Sequence, residues 1–191
     1  MQDHEIKLIA IALIIAAGIF LRRLLRPKAR IRRHLRKQEQ ARRVLAKINT
    51  IPLMPQRLAY LRKIDPLTFE ELLLEAFERR GHTIFRNTHY SGDGGIDGMV
   101  EINGETHLLQ AKRYAKHINR QHIAAFSAVI AAKNCKGYFI HTGKTGAGAK
   151  ELASQDPRMI ILSGQKLLDF LNTGLIEQER SSIREVPLSS P

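Results

Sequence analysis

The chain reads as an α/β protein: a mixed central sheet flanked by helices, preceded by an N-terminal transmembrane helix. Three observations predict this. Strand-like and helix-like segments alternate between residues 65 and 171 after an antiparallel hairpin, and such alternation implies parallel pairing beyond the hairpin. Asn103-Gly104 marks the hairpin itself, because a two-residue type I′ turn needs φ > 0 at both central positions. The third is an unbroken apolar run over residues 8–21, which widens to 6–25 if Lys7 and Arg22–Arg23 extend their charges to the interface.

Segment 6–25 is therefore expected to be a transmembrane anchor, the alternative being a buried or partner-binding helix. Asp3 and Glu5 precede its apolar run 8–21, whereas Arg22, Arg23, Arg26, Lys28, Arg30, Arg32 and Arg33 follow that run. A secretory signal carries its positive charge first. The positive-inside rule places the N-terminus outside and the rest in the cytoplasm, a single pass through a bacterial-type inner membrane. Residues 26–63 read as a basic juxtamembrane helix and linker: residues 22–63 hold 15 Lys/Arg and one acid, with Pro52 and Pro55 marking the linker. The bland role is a topology signal lying on anionic lipid, and the sharper one is an arm that binds DNA phosphates.

Residues 64–172 form the expected catalytic domain. Asp65-Pro66 reads as N-cap and first turn of a helix running to Arg80 and stopped by Gly81. On it Glu71, Glu75 and Glu78 fall at i, i+4 and i+7, the pattern of a solvated face. Glu70 instead has Leu73, Leu74 and Phe77 as helical neighbours, and a carboxylate beside an apolar stripe is expensive unless a positive group meets it. A strand over 82–87 follows, then a glycine-rich loop and the hairpin. Helix 119–133, strand 137–142, helix 147–155, strand 159–162 and helix 165–171 complete the order αβββαβαβα, and residues 173–191 are a tail.

The net charge is +13 over 191 residues, enough for one domain with an appendage. That charge invites a nucleic-acid reading, yet it is unevenly placed. Residues 1–63 hold 16 Lys/Arg against Asp3, Glu5 and Glu39, while residues 64–191 hold 15 basic and 15 acidic side chains. Cys135 is alone, which excludes a disulfide framework and a thiolate zinc site.

The hairpin register carries the chemistry. From Asn103-Gly104, Ile102 pairs with Glu105, and each step back along one strand matches a step forward along the other. That sets Asp97 across from Gln110, with Lys112 on the face of Gln110. Carboxylate, amide oxygen and ammonium then meet at one place, equipment for metal-dependent phosphodiester hydrolysis. A slip of one residue would scatter them.

Asp97 followed by Gln110-Ala111-Lys112 resembles the PD-(D/E)xK nuclease superfamily, and GDGGIDG at 92–98 with QAKRY at 110–114 is similar to the Mrr-type restriction endonuclease domain over 66–171. The resemblance implies a restriction-endonuclease-like fold, DNA as substrate and Mg²⁺ (or Mn²⁺) as cofactor. It implies Asp97, Gln110, the Ala111 carbonyl and Glu70 as metal ligands, with Lys112 positioning the attacking water and offsetting charge at phosphorus. Gln110 stands where many superfamily members have Glu, which leaves the site one negative charge short; the Mrr-like branch shares this. Asp93 is expected to shape the glycine loop. Arg113, Tyr114, Lys116 and Arg120 follow the motif and are candidates for gripping the DNA backbone, as is Lys144, or Thr145, at the start of the helix near Ala147. GKTGAGAK at 143–150 lacks the first glycine of a phosphate loop, and His82, His89, His107, His117, His122 and His141 show no metal-ligand spacing. The expected partners are DNA, the membrane and a second copy of the chain. The expected function is a membrane-anchored restriction-type endonuclease, with a structure-selective repair or junction nuclease and a non-catalytic tethered binding module as alternatives.

Overall fold

The computed structural model describes residues 29–86 and 95–172, together with Ile15 and Gly18. The expected transmembrane segment 6–25 and the tail 173–191 otherwise lie outside the described residues. Among those described, no helix is long and apolar enough to cross a membrane. The chain divides into two compact units, residues 1–36 and 37–191, and the sheet belongs to the second.

The elements of that unit are α1 (Ala29–Asn49, which begins in the first unit), α2 (Met54–Lys63), α3 (Pro66–Arg79), β1 (Thr83–Arg86), β2 (Gly98–Ile102), β3 (Glu105–Lys112), α4 (Arg120–Ala132), β4 (Lys136–His141), α5 (Ala147–Ser154), β5 (Met159–Ser163) and α6 (Gly164–Phe170). The five strands lie in sequence order in one sheet. β1, β2 and β3 are antiparallel neighbours, whereas β3, β4 and β5 run parallel. The sheet is thus mixed and flanked by helices, as expected.

Local chemistry explains the boundaries. Asn103 and Gly104 both take positive φ, 52° and 79°, and the ladder runs from Ile102↔Glu105 to Gly98↔Leu109. The Asp65 carboxylate accepts the Thr68 N–H at 3.2 Å with Pro66 opening the helix, and Asn119 caps α4 by accepting from Gln121 N–H at 2.9 Å. Successive residues of β3 feed opposite layers, as strand alternation requires. Leu109 joins Leu45, Leu61, Phe69, Leu72 and Leu168. Leu108 joins Ile123, Phe126, Ile130 and Phe139.

Two expectations are corrected. The segment expected as basic helix and linker is part of the folded unit: 54–63 is a helix, and Leu45, Ile48 and Leu61 are at most 1% exposed within the core. Several of its basic side chains serve the fold. Lys37 pairs with Asp65 at 3.0 Å, Arg42 with Glu75 at 3.1 Å, and Arg62 donates to the carbonyls of Tyr114 and Thr142. The face of Glu71 and Glu75 is also not solvated, for both are nearly buried. Arg86 from β1 meets Glu71 at 3.0 Å and Glu78 at 2.8 Å, while Arg42 and Arg79 meet Glu75. Burial alone would raise the Glu75 carboxyl, but hydrogen bonds from Arg79 and Arg42 outweigh it and hold it below the usual range.

Candidate active site

Asp97 sits one residue before β2, and it encloses Gln110 from both sides. Its N–H donates to the Leu109 carbonyl at 2.8 Å, and its Oδ2 accepts the Ala111 N–H at 2.7 Å. The regular ladder ends at Gly98↔Leu109, so Asp97 meets the peptides on either side of Gln110 rather than continuing the ladder. Burial pushes its carboxyl up to about 6, against the lowering effect of the Ala111 N–H and the Lys112 ammonium.

Glu70, on the first turns of α3, belongs to the same electrostatic group. Burial pushes its carboxyl up to about 8; the Asp97 charge adds to this and Lys112 opposes it. Two desolvated carboxylates, one raised further by the charge of the other, mark a place prepared for positive charge beyond that of Lys112.

Gln110 supplies the remaining donor. Its side chain is 6% exposed and its Nε2 donates to the Gly95 carbonyl at 2.8 Å. That bond aims Oε1 elsewhere, and Oε1 is buried without a partner. An orphaned buried acceptor is costly. Gly95 permits the arrangement: it takes φ +81°, and a Cβ there would lie 2.6 Å from Gln110 Nε2. Asp93 and the loop before Gly95 lie outside the described residues. Among those described, no cluster of three or more His, Cys, Asp or Glu is placed to hold a metal. The ligands that the resemblance implies, two carboxylates, an amide oxygen and the Ala111 carbonyl, would form an all-oxygen set that fits a hard divalent cation.

The expected DNA-contacting residues divide. Lys116, Arg120 and Lys144 are exposed, and Lys116 and Lys144 lie on adjacent backbone segments, joined by the Lys144 N–H to the Lys116 carbonyl at 3.0 Å. Arg113 departs from expectation, since its Nη1 donates to the carbonyls of Arg62 and Ile64 and so ties the end of β3 to the end of α2. Tyr114 is half-buried, its hydroxyl bonded to His122 Nδ1 and its carbonyl held by Arg62 and the Thr142 hydroxyl. Sequence reasoning missed Gly95, Arg62 and His141. A run of glycines before Asp97 was the available signal for the first; nothing local announces the other two.

The antiparallel hairpin with Asp97 at its entry and Gln110-Ala111-Lys112 at its exit, laid beside parallel strands, is the arrangement of a PD-(D/E)xK nuclease domain. Residues 61–171 match the family model described as restriction endonuclease, that of the Mrr catalytic domain, and the chain belongs to this family. One relative is the type IV methyl-directed restriction enzyme EcoKMrr of Escherichia coli (strain K12), 29% identical over 122 residues, or 60% of this chain. The matched part is 40% of that enzyme's length. No solved structure matches.

Proposed function

We propose that this protein is a membrane-anchored, Mg²⁺-dependent endonuclease of the restriction type, which hydrolyses phosphodiester bonds in DNA. The observation that carries the reading is the buried, partnerless side-chain Oε1 of Gln110, whose backbone Asp97 encloses, with Glu70 and Lys112 in electrostatic range of Asp97. These groups together are what in-line displacement at a phosphodiester needs.

Asp97, Glu70, Gln110 Oε1 and the Ala111 carbonyl would hold the cation. When bound, it supplies Lewis-acid charge at the scissile phosphate. Lys112 positions the attacking water and offsets negative charge as it develops on the phosphoryl oxygens. Asp97 has a second task through its Oδ2···H–N bond to Ala111, which holds the Gln110-Ala111-Lys112 backbone in one register against the metal-binding carboxylates. Exposed Lys116, Arg120 and Lys144 contact the DNA backbone.

Anchoring rests on the apolar run 8–21 within segment 6–25, with Asp3 and Glu5 before it and seven basic residues after it by Arg33. The test of activity uses the full-length chain in detergent on methylated, unmethylated and branched DNA, with Mg²⁺ or with EDTA. Cleavage is expected only with Mg²⁺, and comparing the three substrates separates a restriction role from a junction-selective one. Cleavage in EDTA, or none on any substrate, overturns the reading.

A further inference from the structure

The ladder at the C-terminal ends of the parallel strands places Lys112 beside His141, and His141 beside Ser163. Paired residues of parallel strands turn to one face, and Gln110, two residues before Lys112, shares it. Lower on that face Leu108, Phe139 and Ile161 pack into the core. A polar row therefore begins where the core ends, and it leads away from the candidate active site across two strands.

His141 is fully buried, and burial pushes its imidazole down to about 4, so the ring is neutral at physiological pH. Its Nδ1 accepts the Gly143 N–H at 3.2 Å. A backbone N–H can only donate, so the ring proton sits on Nε2. Nε2–H then donates to Thr145 Oγ1 at 3.1 Å, and the Thr145 and Ser163 hydroxyls share a hydrogen bond at 3.2 Å in which either can donate. Whichever donates, one hydroxyl hydrogen of the pair is left over for a further acceptor.

Thr145 and Ser163 both line a groove of ≈ 490 Å³, whose charged lining residues are Lys150 and Lys166. Among the described residues no carboxylate lines it, and both lysines are exposed. One hydroxyl donor in a pair oriented by a buried neutral histidine, together with two ammonium groups, has the chemistry that recognises an oxyanion. Two strand spacings, about 10 Å, separate the backbone of Lys112 from that of Ser163. At about 3.4 Å of helix axis per nucleotide, that is a span of two or three nucleotides.

We propose that this groove is a second phosphate-binding subsite, in which Thr145, Ser163, Lys150 and Lys166 seat a backbone phosphate of the DNA strand two or three nucleotides from the scissile bond. It rests on the nuclease reading above. The subsite fixes the strand's direction over Lys112, so it positions substrate and takes no part in bond breaking. Free phosphate shares the recognising chemistry, and the test separates the two sources.

The experiment titrates a short fluorescein-labelled duplex with the full-length chain in detergent and EDTA, over a series of NaCl concentrations. Lys150→Ala/Lys166→Ala should weaken binding about tenfold at low salt and make the slope of log K against log[salt] shallower by about 0.9, the value for one phosphate contact. Lys133→Ala/Lys136→Ala, at the other end of β4, removes the same charge and should leave the slope alone. Ser163→Ala, which spares the His141–Thr145 bond, should weaken binding severalfold with the slope unchanged, because a neutral donor releases no counterion; Thr145→Val should do the same if its melting temperature holds. Equal affinity and slope in the lysine pair and in wild type overturn the proposal. So does a lysine pair that binds DNA normally but loses a phosphate-induced rise in melting temperature, which would assign the groove to free phosphate. A wild-type chain that binds no duplex at any salt overturns the nuclease reading first and this inference with it.

Discussion

Asp97 is held so tightly around Gln110 that small changes nearby should register in function before they register in folding. Gly95→Ala is the sharpest of these. Its Cβ would sit 2.6 Å from Gln110 Nε2 at a φ of +81°, so it should displace the amide and cost roughly 1–2 kcal/mol for the left-handed backbone. Chemical denaturation should show that modest loss, while Mg²⁺-dependent cleavage falls far more. Glu70 makes a second case. Its folded carboxyl is raised to about 8 by burial and by Asp97, so its protonation favours the folded state, and the metal-free protein loses stability as pH rises from about 4.5 through about 8. Glu70→Gln removes that loss. The melting temperature at pH 8 in EDTA should rise above wild type as cleavage is lost, and an unchanged melting temperature would argue that Glu70 is solvated. His141 works in the opposite direction. Its folded value is lowered to about 4 from 6.5, so its contribution is present above about 6.5 and disappears as pH falls toward 4, a change on the order of 3 kcal/mol. His141→Gln should flatten that acid limb in a melting series.

The hairpin between β2 and β3 was legible because its turn chemistry is local. Asn103-Gly104 admits one tight turn, and once the turn is set, every pairing through Gly98↔Leu109 comes by counting. Asp97 departs only at the end, where its side chain reaches the Ala111 N–H and the regular ladder stops. The α3 capping by Asp65 was readable for the same reason. The burial of Glu71 and Glu75 was not, because besides Arg79 on the same helix the arginines that cover them lie 15 and 33 residues away, on β1 and α1. The docking of α1 and α2 was hidden likewise, since a segment so rich in Arg and Lys reads as solvated until its ion pairs are seen. Leu45→Ala tests this docking directly. Leu45 is fully buried in the core, and replacing it should cost about 2–5 kcal/mol in urea unfolding; a loss below about 0.5 kcal/mol would mean that α1 packs loosely on the domain.

At the scale of the whole molecule, the excess charge takes on a different meaning once its partners are known. Residues 64–191 balance their charges, and within 37–63 Lys37, Arg42 and Arg62 serve the fold. Residues 37–63 still carry seven Lys/Arg against Glu39, so the folded unit keeps a positive excess, and on the nuclease reading exposed Lys116, Arg120 and Lys144 would add short-range contacts to DNA. The segment 6–25 should keep the chain in the membrane fraction through carbonate extraction, with a reporter fused after Pro191 behaving as cytoplasmic; recovery in the soluble fraction would contradict the anchor. On the proposed reading, one enclosed peptide, Gln110 between the two bonds of Asp97, forms the centre of a metal-dependent nuclease. The most direct measurement is the Mg²⁺-dependent rate of DNA strand cleavage by Asp97→Ala, alongside wild type and with circular dichroism to confirm the fold. The expected result is a loss of at least about 10²–10³ in rate in a folded protein, the scale for removing a group aimed at transition-state charge. Cleavage at the wild-type rate by folded Asp97→Ala would contradict it.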